Sequence, residues 1–505
     1  MSEATPRYRI LFAASEAWPL IKTGGLADVA GALPAALKAR RHDIRLLLPA
    51  YPEAREGLAQ PRAGGRFQLG GYAVELLRGK LPGTRVPVWL VDCPALFARP
   101  GNPYLGPDGR PWPDNAQRFA LFSRVAAHLA GAASPWRWRP EILHCHDWQA
   151  GLAPALLADD AERPASVFTI HNLAYQGRFS YATFAALGLP EALWSHEALE
   201  FHGDMAFIKG GLAFADRINT VSPGYAREIL TPDFGCGLDG LLRHRKARLS
   251  GILNGIDTRV WDPAHDPHIA VPFSARRLAA RSANKAALQK ALGLKVDERV
   301  LLAGNVGRMV AQKGIDLLCE VLPAMMERGM QLVVLGSGEA HFEARLQQLA
   351  RRYPGRVAVR IGYSEAMAHR IEAACDLFLM PSRFEPCGLN QMYSLRYGAL
   401  PLVHRVGGLA DTVFERGEED DNGFVFPRPL AADMLAALDR ALALWARPAA
   451  WRRRQRNAMR ADHSWRHSAM AYEALYARAL ADRRADRSAM EPAGGGKTVL
   501  APETG

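Results

Sequence analysis

Residues able to handle a phosphate or a sugar recur in this chain at the ends of apolar, β-like runs. Lys22-Thr23-Gly24-Gly25-Leu26-Ala27-Asp28 follows one such run, Arg9 to Ala14, and opens a helical pattern. A glycine pair lets a ligand approach the backbone, and free N–H groups at a helix start favour an anion. Lys22 adds a full positive charge and tips this turn towards phosphate. Gly407-Gly408-Leu409-Ala410-Asp411 repeats its last five residues after the run Leu400 to Val403. For that second turn, a helix entry chosen for tight packing explains the glycines as well as a ligand does. Arg308 and Lys313 share the loop Gly307 to Gly314. Two long cations there can clamp a diphosphate and neutralise charge building on it as it leaves. In Pro381-Ser382-Arg383-Phe384-Glu385-Pro386-Cys387-Gly388-Leu389 the glutamate offers a carboxylate to sugar hydroxyls, and the loop N–H groups suit hydroxyls or phosphate.

His144-Cys145-His146-Asp147-Trp148 ends another run, and His171-Asn172 ends the next. The His-x-His-Asp spacing raises zinc. Alternate strand residues share a face, however, so His144 and His146 point one way and Asp147 the other, and no further ligands cluster there. The expectation is a polar sugar-recognition site with His146, Asp147 and His171 at its rim, and no metal ion.

Strands and helices must hold these loops. Leu26, Val29, Ala30, Leu33 and Leu37 lie at helical spacing between the strand-like stretches 8–14 and Asp43 to Leu48. That is a βαβ unit, which implies a parallel sheet. Val86 to Val91, Glu141 to His144 and Ser166 to Ile170 read as further strands. The second half repeats the plan, with strands at Arg299 to Gly304, Leu332 to Leu335, Val357 to Ile361 and Leu377 to Met380, and a helix from Ile315 to Arg328. Two doubly wound α/β domains facing each other across a cleft are expected, with ligands at the carboxyl ends of the strands. The turn Leu253-Asn254-Gly255-Ile256-Asp257 places their boundaries at 1–255 and 256–464. An amphipathic helix over 465–482 is expected to pack back on the first domain, and 483–505 reads as a flexible tail. Gly494-Gly495-Gly496-Lys497-Thr498 imitates a Walker loop, but Glu491 holds the required leading glycine position and no strand precedes it.

Composition narrows the class. The chain has 505 residues, long enough for two or three domains, with 49% hydrophobic and 23% charged residues, as in ordinary globular proteins. No apolar run reaches membrane-spanning length, and Met1 to Arg7 lacks the apolar core of a signal peptide. Cys93, Cys145, Cys236, Cys319, Cys375 and Cys387 are scattered without a CxxC pair, which argues for reduced thiols in a cytoplasm. Net charge is +12, and Trp451-Arg452-Arg453-Arg454-Gln455-Arg456 is strongly basic. No nucleic-acid-reading motif accompanies it, so a solvated, arginine-rich surface is expected, with neither nucleic acid nor membrane as partner.

Lys22 to Val29, His146-Asp147-Trp148, residues 171–177 (His-Asn-Leu-Ala-Tyr-Gln-Gly) and Ser382 to Leu389 together resemble the bacterial glycogen synthases, a family that includes plant starch synthases and uses ADP-glucose. The resemblance runs from about residue 8 to residue 480. It implies a GT-B fold of two Rossmann-like domains. It also implies retaining glucosyl transfer from ADP-glucose to the non-reducing end of an α-1,4-glucan such as glycogen, without a metal or other cofactor. Carried over by motif, Lys22 and Gly25 would hold the donor phosphates, and Arg308 and Lys313 would stabilise the departing ADP. Glu385 and its loop would position the glucose, His171 would face the reacting sugar, and Asp147 would lie near the junction of donor and acceptor. Tyr363 would stack on adenine. Gly24, Asp28, Asn172, Asn254, Cys387, Gly388 and Leu389 join the substrate-binding set.

Two positions depart from the wider pattern. The second glutamate that the fold class often carries eight residues after the first is Tyr393 here, as it is in glycogen synthases, and the phosphate loop begins Gly307-Arg308 rather than Ser-Arg. Competing readings are a transferase using UDP-glucose or another acceptor, and a glucan- or nucleic-acid-binding protein without catalysis. The joint presence of Lys22, Asp147, His171, Arg308, Lys313 and Glu385 argues against the last.

Overall fold

Strands rich in Val, Ile and Leu on both faces can only sit in a sheet covered on both sides, and two stretches of this chain supply them. The computed structural model describes residues 7–417 and 419–490. The first stretch contains β1 (Arg9–Ala13), β2 (Asp43–Pro49), β3 (Ala59–Leu69), β4 (Tyr72–Lys80), β5 (Pro87–Asp92), β6 (Ile142–His146), β7 (Ala165–Ile170), β8 (Arg178–Ser180), β9 (Glu200–Phe201), β10 (Asp204–Ala206), β11 (Arg217–Thr220) and β12 (Leu249–Gly251). Its main sheet has the order β12-β11-β7-β6-β1-β2-β5-β4-β3, and β8, β10 and β9 form a small sheet of their own. The neighbours of β1 and β6 pair in parallel, while β3 and β4 make an antiparallel hairpin at one edge. From β1 the chain winds outward to β2 and β5; from β6 it winds the opposite way, to β7. The winding therefore reverses between β1 and β6.

The second stretch contains β13 (Leu302–Val306), β14 (Gln331–Gly336), β15 (Val357–Ile361), β16 (Leu377–Met380), β17 (Leu400–His404) and β18 (Phe424–Phe426). They form one fully parallel sheet in the order β15-β14-β13-β16-β17-β18, with the winding reversed between β13 and β16. Leu332 and Val334 of β14 pack into the core on one face, and Val333 and Leu335 into the core on the other. This period of two is what buries the strand on both sides.

The chain forms two units. One comprises the residues up to Asn219, His244–Leu249 and those from Met470; the other comprises Thr220–Arg243 and Ser250–Ala469. A boundary at 255 had placed Thr220–Arg243 in the first. Hydrogen bonds tie that segment to the second unit instead. Ser222 Oγ donates to the Pro386 carbonyl at 2.6 Å, Gly224 N–H to the Asp411 carboxylate at 2.6 Å, and Gly407 N–H to Glu228 at 2.7 Å.

Three further details differ from the sequence reading. The strand expected from Arg299 starts at Leu302, because Asp297 accepts the Arg299 N–H at 2.9 Å in a local turn. The β3–β4 hairpin, absent from the strands expected above, turns at Gly70-Gly71. The last helix is Trp465–Met490, past the expected end at residue 482. Polar residues at and beyond the expected end find partners within the first unit. Asp482 pairs with Arg217 at 2.5 Å and Arg248 at 2.6 Å, and Arg483 donates to the Ala161 carbonyl at 2.6 Å. Residues 491–505, including Gly494 to Thr498, lie outside the described residues. The basic run 451–456 falls on the helix Pro448–Arg460, where Trp451 is buried and Arg454 pairs with Asp421 at 3.0 Å. Among the described residues, no helix is long and apolar enough to cross a membrane.

Tyr393, at the position where the wider fold class carries a glutamate, is a packing residue. Its ring stacks on Trp261 at 3.8 Å, and Trp261 also stacks on the buried His369 at 3.8 Å. Burial opposes charge on His369, but hydrogen bonds to Asp266 and Glu365 prevail and raise its pKa to about 9. One turn along the same helix, burial pushes Glu372 up to about 8 against the hydrogen bond from Ser394. Both shifts make stability fall as pH rises. The unfolded glutamate ionises near 4.5, so the Glu372 contribution is lost between there and about 8. The His369 contribution is lost between about 6.5 and 9. Melting temperature is expected to drop by several degrees between about pH 6.5 and 8.5, and Glu372→Gln to flatten that drop. A flat or rising wild-type profile would contradict these assignments.

Candidate functional site

In an open α/β sheet, ligands bind beyond the carboxyl ends of the strands where the winding reverses. In the second unit that point lies between β13 and β16, paired through Ala303 with Leu377 and Gly304 with Phe378. β13 leads into the Arg308 loop and β16 into the Glu385 loop. Gly314 ends the turn Ala311–Lys313 at φ 68°, and a Cβ there would stand 2.0 Å from the Pro381 carbonyl. Only glycine lets the two loops lie this close. Lys313 Nζ consequently reaches Glu385 Oε2 at 2.5 Å. The Glu385 carboxylate is buried and also accepts from Ser382 Oγ at 3.0 Å. Arg308 is exposed and donates to the Gln312 side chain at 3.1 Å.

The turn Gly407 to Asp411 backs this loop. Gly408 N–H donates to the Glu385 carbonyl at 3.1 Å, and a Cβ on Gly407, at φ 46°, would stand 2.0 Å from that carbonyl. With the Gly407 N–H taken by Glu228, these groups serve packing of the Glu385 loop. Beyond Glu385, burial pushes the Cys387 thiol up to about 12 against hydrogen bonds from the backbone and side chain of Asn254, so the thiol is inert. Gly388 has φ 72°, and Leu389 precedes the helix Asn390–Tyr397. Tyr363 follows β15, 64% exposed, with its hydroxyl on Glu365.

In the first unit the winding reverses between β1 and β6. β6 is buried throughout and is followed by Asp147, a non-glycine residue held at φ 53°. Its carboxylate accepts the His171 N–H at 2.7 Å, which fixes the ends of β6 and β7 together. Burial pushes Asp147 up to about 7, against hydrogen bonds from the His171 and Asn172 backbone. Burial pushes His171 down to about 3, so its ring is neutral near pH 7. One hydrogen bond joins His171 Nε2 and His146 Nδ1 at 2.9 Å. His144 uses both ring nitrogens, on Tyr476 at 2.9 Å and Thr169 at 2.8 Å, and so packs the last helix against the sheet. The Asn172 side chain accepts the Ala174 N–H at 3.1 Å and shapes its own loop.

The loop after β1 carries Lys22, whose Nζ meets Asp28 at 2.8 Å. The N–H groups of Thr23 and Gly24 stand just ahead of the helix start. Both are taken by Glu16, at 2.5 and 3.2 Å, and Glu16 was not singled out from sequence. An anion at this turn is left with Lys22 and the groups from Gly25 onward, where the helix Gly25–Ala39 begins. A single glutamate beyond a strand carries no local sign in the sequence of the N–H groups it fills.

The chain is similar to known proteins. The family model described as starch synthase catalytic domain matches residues 9–244, and that described as glycosyl transferases group 1 matches residues 284–458. The glycogen synthase of Cellvibrio japonicus (strain Ueda107) is 57% identical over 479 residues, covering 93% of this chain and 99% of its own length. Glycogen synthase 1 of Methylococcus capsulatus (strain ATCC 33009 / NCIMB 11132 / Bath) is 55% identical over 489 residues, covering 96% of this chain and 99% of its own. Among solved structures, the catalytic domain of Starch Synthase IV from Arabidopsis thaliana, bound to ADP and acarbose, matches with a TM-score of 0.86 and 33% identity. That match covers 94% of this chain and 100% of the plant chain. With two Rossmann-like units of GT-B type, the chain belongs to the glycogen and starch synthase family of glycosyltransferases.

Proposed function

We propose that this chain elongates glycogen by retaining transfer of glucose from ADP-glucose to the non-reducing end of an α-1,4-glucan. The observation that carries this reading is the Lys313–Glu385 pair at the winding reversal of the second unit, 2.5 Å apart with the carboxylate buried. As the bond from glucose to the donor oxygen breaks, negative charge grows on the departing ADP. Lys313 and Arg308 are fixed on one loop and stabilise that charge more in the transition state than in the ground state. Glu385, Cys387, Gly388, Leu389 and Asn254 shape the pocket for glucose, and the exposed ring of Tyr363 stacks on adenine. In the first unit, Lys22 and Gly25 bind phosphate, Asp28 orients the Lys22 ammonium from 2.8 Å, and Asp147 holds His171 and Asn172 for the sugar. A neutral His171 offers a hydrogen bond without placing a positive charge near an oxocarbenium-like carbon.

Proton NMR of a reaction with ADP-glucose and a maltooligosaccharide tests the reading. A new α-anomeric signal is expected to grow in step with ADP release. A β-anomeric product, or free glucose in place of a longer oligosaccharide, would overturn it.

A further inference from the structure

We propose that Glu16 is a positioning residue for the phosphate-binding turn, latching Thr23 and Gly24 so that Lys22 and Gly25 are presented in one fixed conformation. The assignment of the turn to donor phosphate rests on the function proposed above; the latch itself rests on geometry. Glu16 is 3% exposed. One carboxylate oxygen accepts the Thr23 N–H at 2.5 Å and the Gly24 N–H at 3.2 Å. The other accepts the Thr23 hydroxyl at 2.6 Å and the Tyr104 hydroxyl at 2.6 Å. All four donors are neutral. The neighbouring ammonium of Lys22 pairs with Asp28 instead.

Tyr104 is a firm anchor for such a latch. Its hydroxyl also meets Ser15 Oγ at 2.7 Å, and its carbonyl accepts from the Asn115 side chain at 3.0 Å. The preceding carbonyl, that of Pro103, accepts from the buried Arg118 at 2.7 Å. Through Glu16, a turn with only glycine and threonine at its bend is tied to a loop that the buried Arg118 holds. Charge adds direction. A carboxylate already fills the Thr23 and Gly24 N–H groups, so an incoming phosphate is repelled there and meets Lys22 and Gly25.

The four donors also predict which substitution is tolerated. The two N–H groups need an acceptor, while the two hydroxyls can turn and accept. Glu16→Gln can keep its carbonyl on the backbone side and donate to Thr23 and Tyr104, so the latch survives without the charge. Glu16→Ala leaves buried donors unpaired and frees the turn.

Hydrogen exchange and steady-state kinetics on the full chain test this together. In Glu16→Ala the Thr23 and Gly24 amides are expected to exchange about tenfold faster or more, and near the wild-type rate in Glu16→Gln. The KM for ADP-glucose is expected to rise about tenfold in Glu16→Ala with the glucan KM within about twofold, and to recover to within about threefold of wild type in Glu16→Gln. Thr23→Val removes one donor to Glu16 and is expected to raise donor KM about threefold, which decides the matter if Glu16→Ala does not fold. Unchanged exchange, an unchanged donor KM in the folded variant, or a Glu16→Gln as impaired as Glu16→Ala would overturn the latch. A wild-type chain that transfers nothing from ADP-glucose would refute the functional reading alone, since the exchange experiment reads the latch without turnover.

Discussion

Lys313→Ala is expected to lower kcat about 10²–10³-fold while leaving the KM for the glucan nearly unchanged. The ammonium is aimed where charge develops, so its removal acts on the transition state more than on binding. The structure adds a second consequence. Lys313 is the cation paired with the buried Glu385, so its loss also leaves that carboxylate with Ser382 as its remaining side-chain partner. The two effects separate in melting curves of Lys313→Ala and Lys313→Ala/Glu385→Gln. An orphaned carboxylate distorting its loop would lower the melting temperature of the single variant and be relieved in the double; missing positive charge slows turnover with the melting temperature near that of wild type. Arg308→Ala is expected to lose activity similarly, with a less than additive combination if both cations act on one diphosphate. Near-normal turnover of Lys313→Ala at saturating glycogen would remove this residue from the mechanism.

The second large effect comes from the glycines that the two turns share. Gly407 has φ 46°, and a Cβ there would lie 2.0 Å from the Glu385 carbonyl. No side chain can yield to relieve that contact, because backbone meets backbone. Gly407→Ala is therefore expected to destabilise the chain by roughly 2–4 kcal/mol and to push the Glu385 loop out of place. Misplacement of catalytic groups on the ångström scale costs about 10²-fold in rate. The matching residue of the first turn, Gly24, has φ −156°, and a Cβ added there meets nothing within 4 Å. Gly24→Ala is accordingly expected to change stability by about 0.5 kcal/mol or less. Melting curves and kinetics on the two variants check the contrast. A Gly407→Ala protein as stable and active as wild type would contradict the packing role.

The two turns show how far the sequence could be read. Their identity is real, and both lie at strand ends, where hydrophobic runs and glycines mark a parallel α/β sheet. Lys22, Asp147, His171, Arg308, Lys313 and Glu385 were visible because each sits in a short motif closing such a run. What the turns do was not visible. Glu16 fills the N–H groups of one and Glu228 that of the other, and a single glutamate has no local signature for this. Gly407 needs to be glycine because of Glu385, and that contact is set by the fold rather than by sequence neighbours. The same limit governed the domain boundary, since Thr220–Arg243 precedes the turn at 255 yet is claimed by Pro386, Gly407 and Asp411. The end of the last helix is hidden from the sequence for a related reason. Arg483 and Asp486 read as solvated tail until the Ala161 carbonyl and Arg248 are placed beside them.

Incorporation of labelled glucose into glycogen from ADP-glucose and from UDP-glucose, side by side with the purified chain, tests the central claim most directly. Transfer from ADP-glucose, faster than from UDP-glucose at equal concentration and abolished when glycogen is omitted, is the predicted result. No transfer from ADP-glucose, or a clear preference for UDP-glucose, would contradict it.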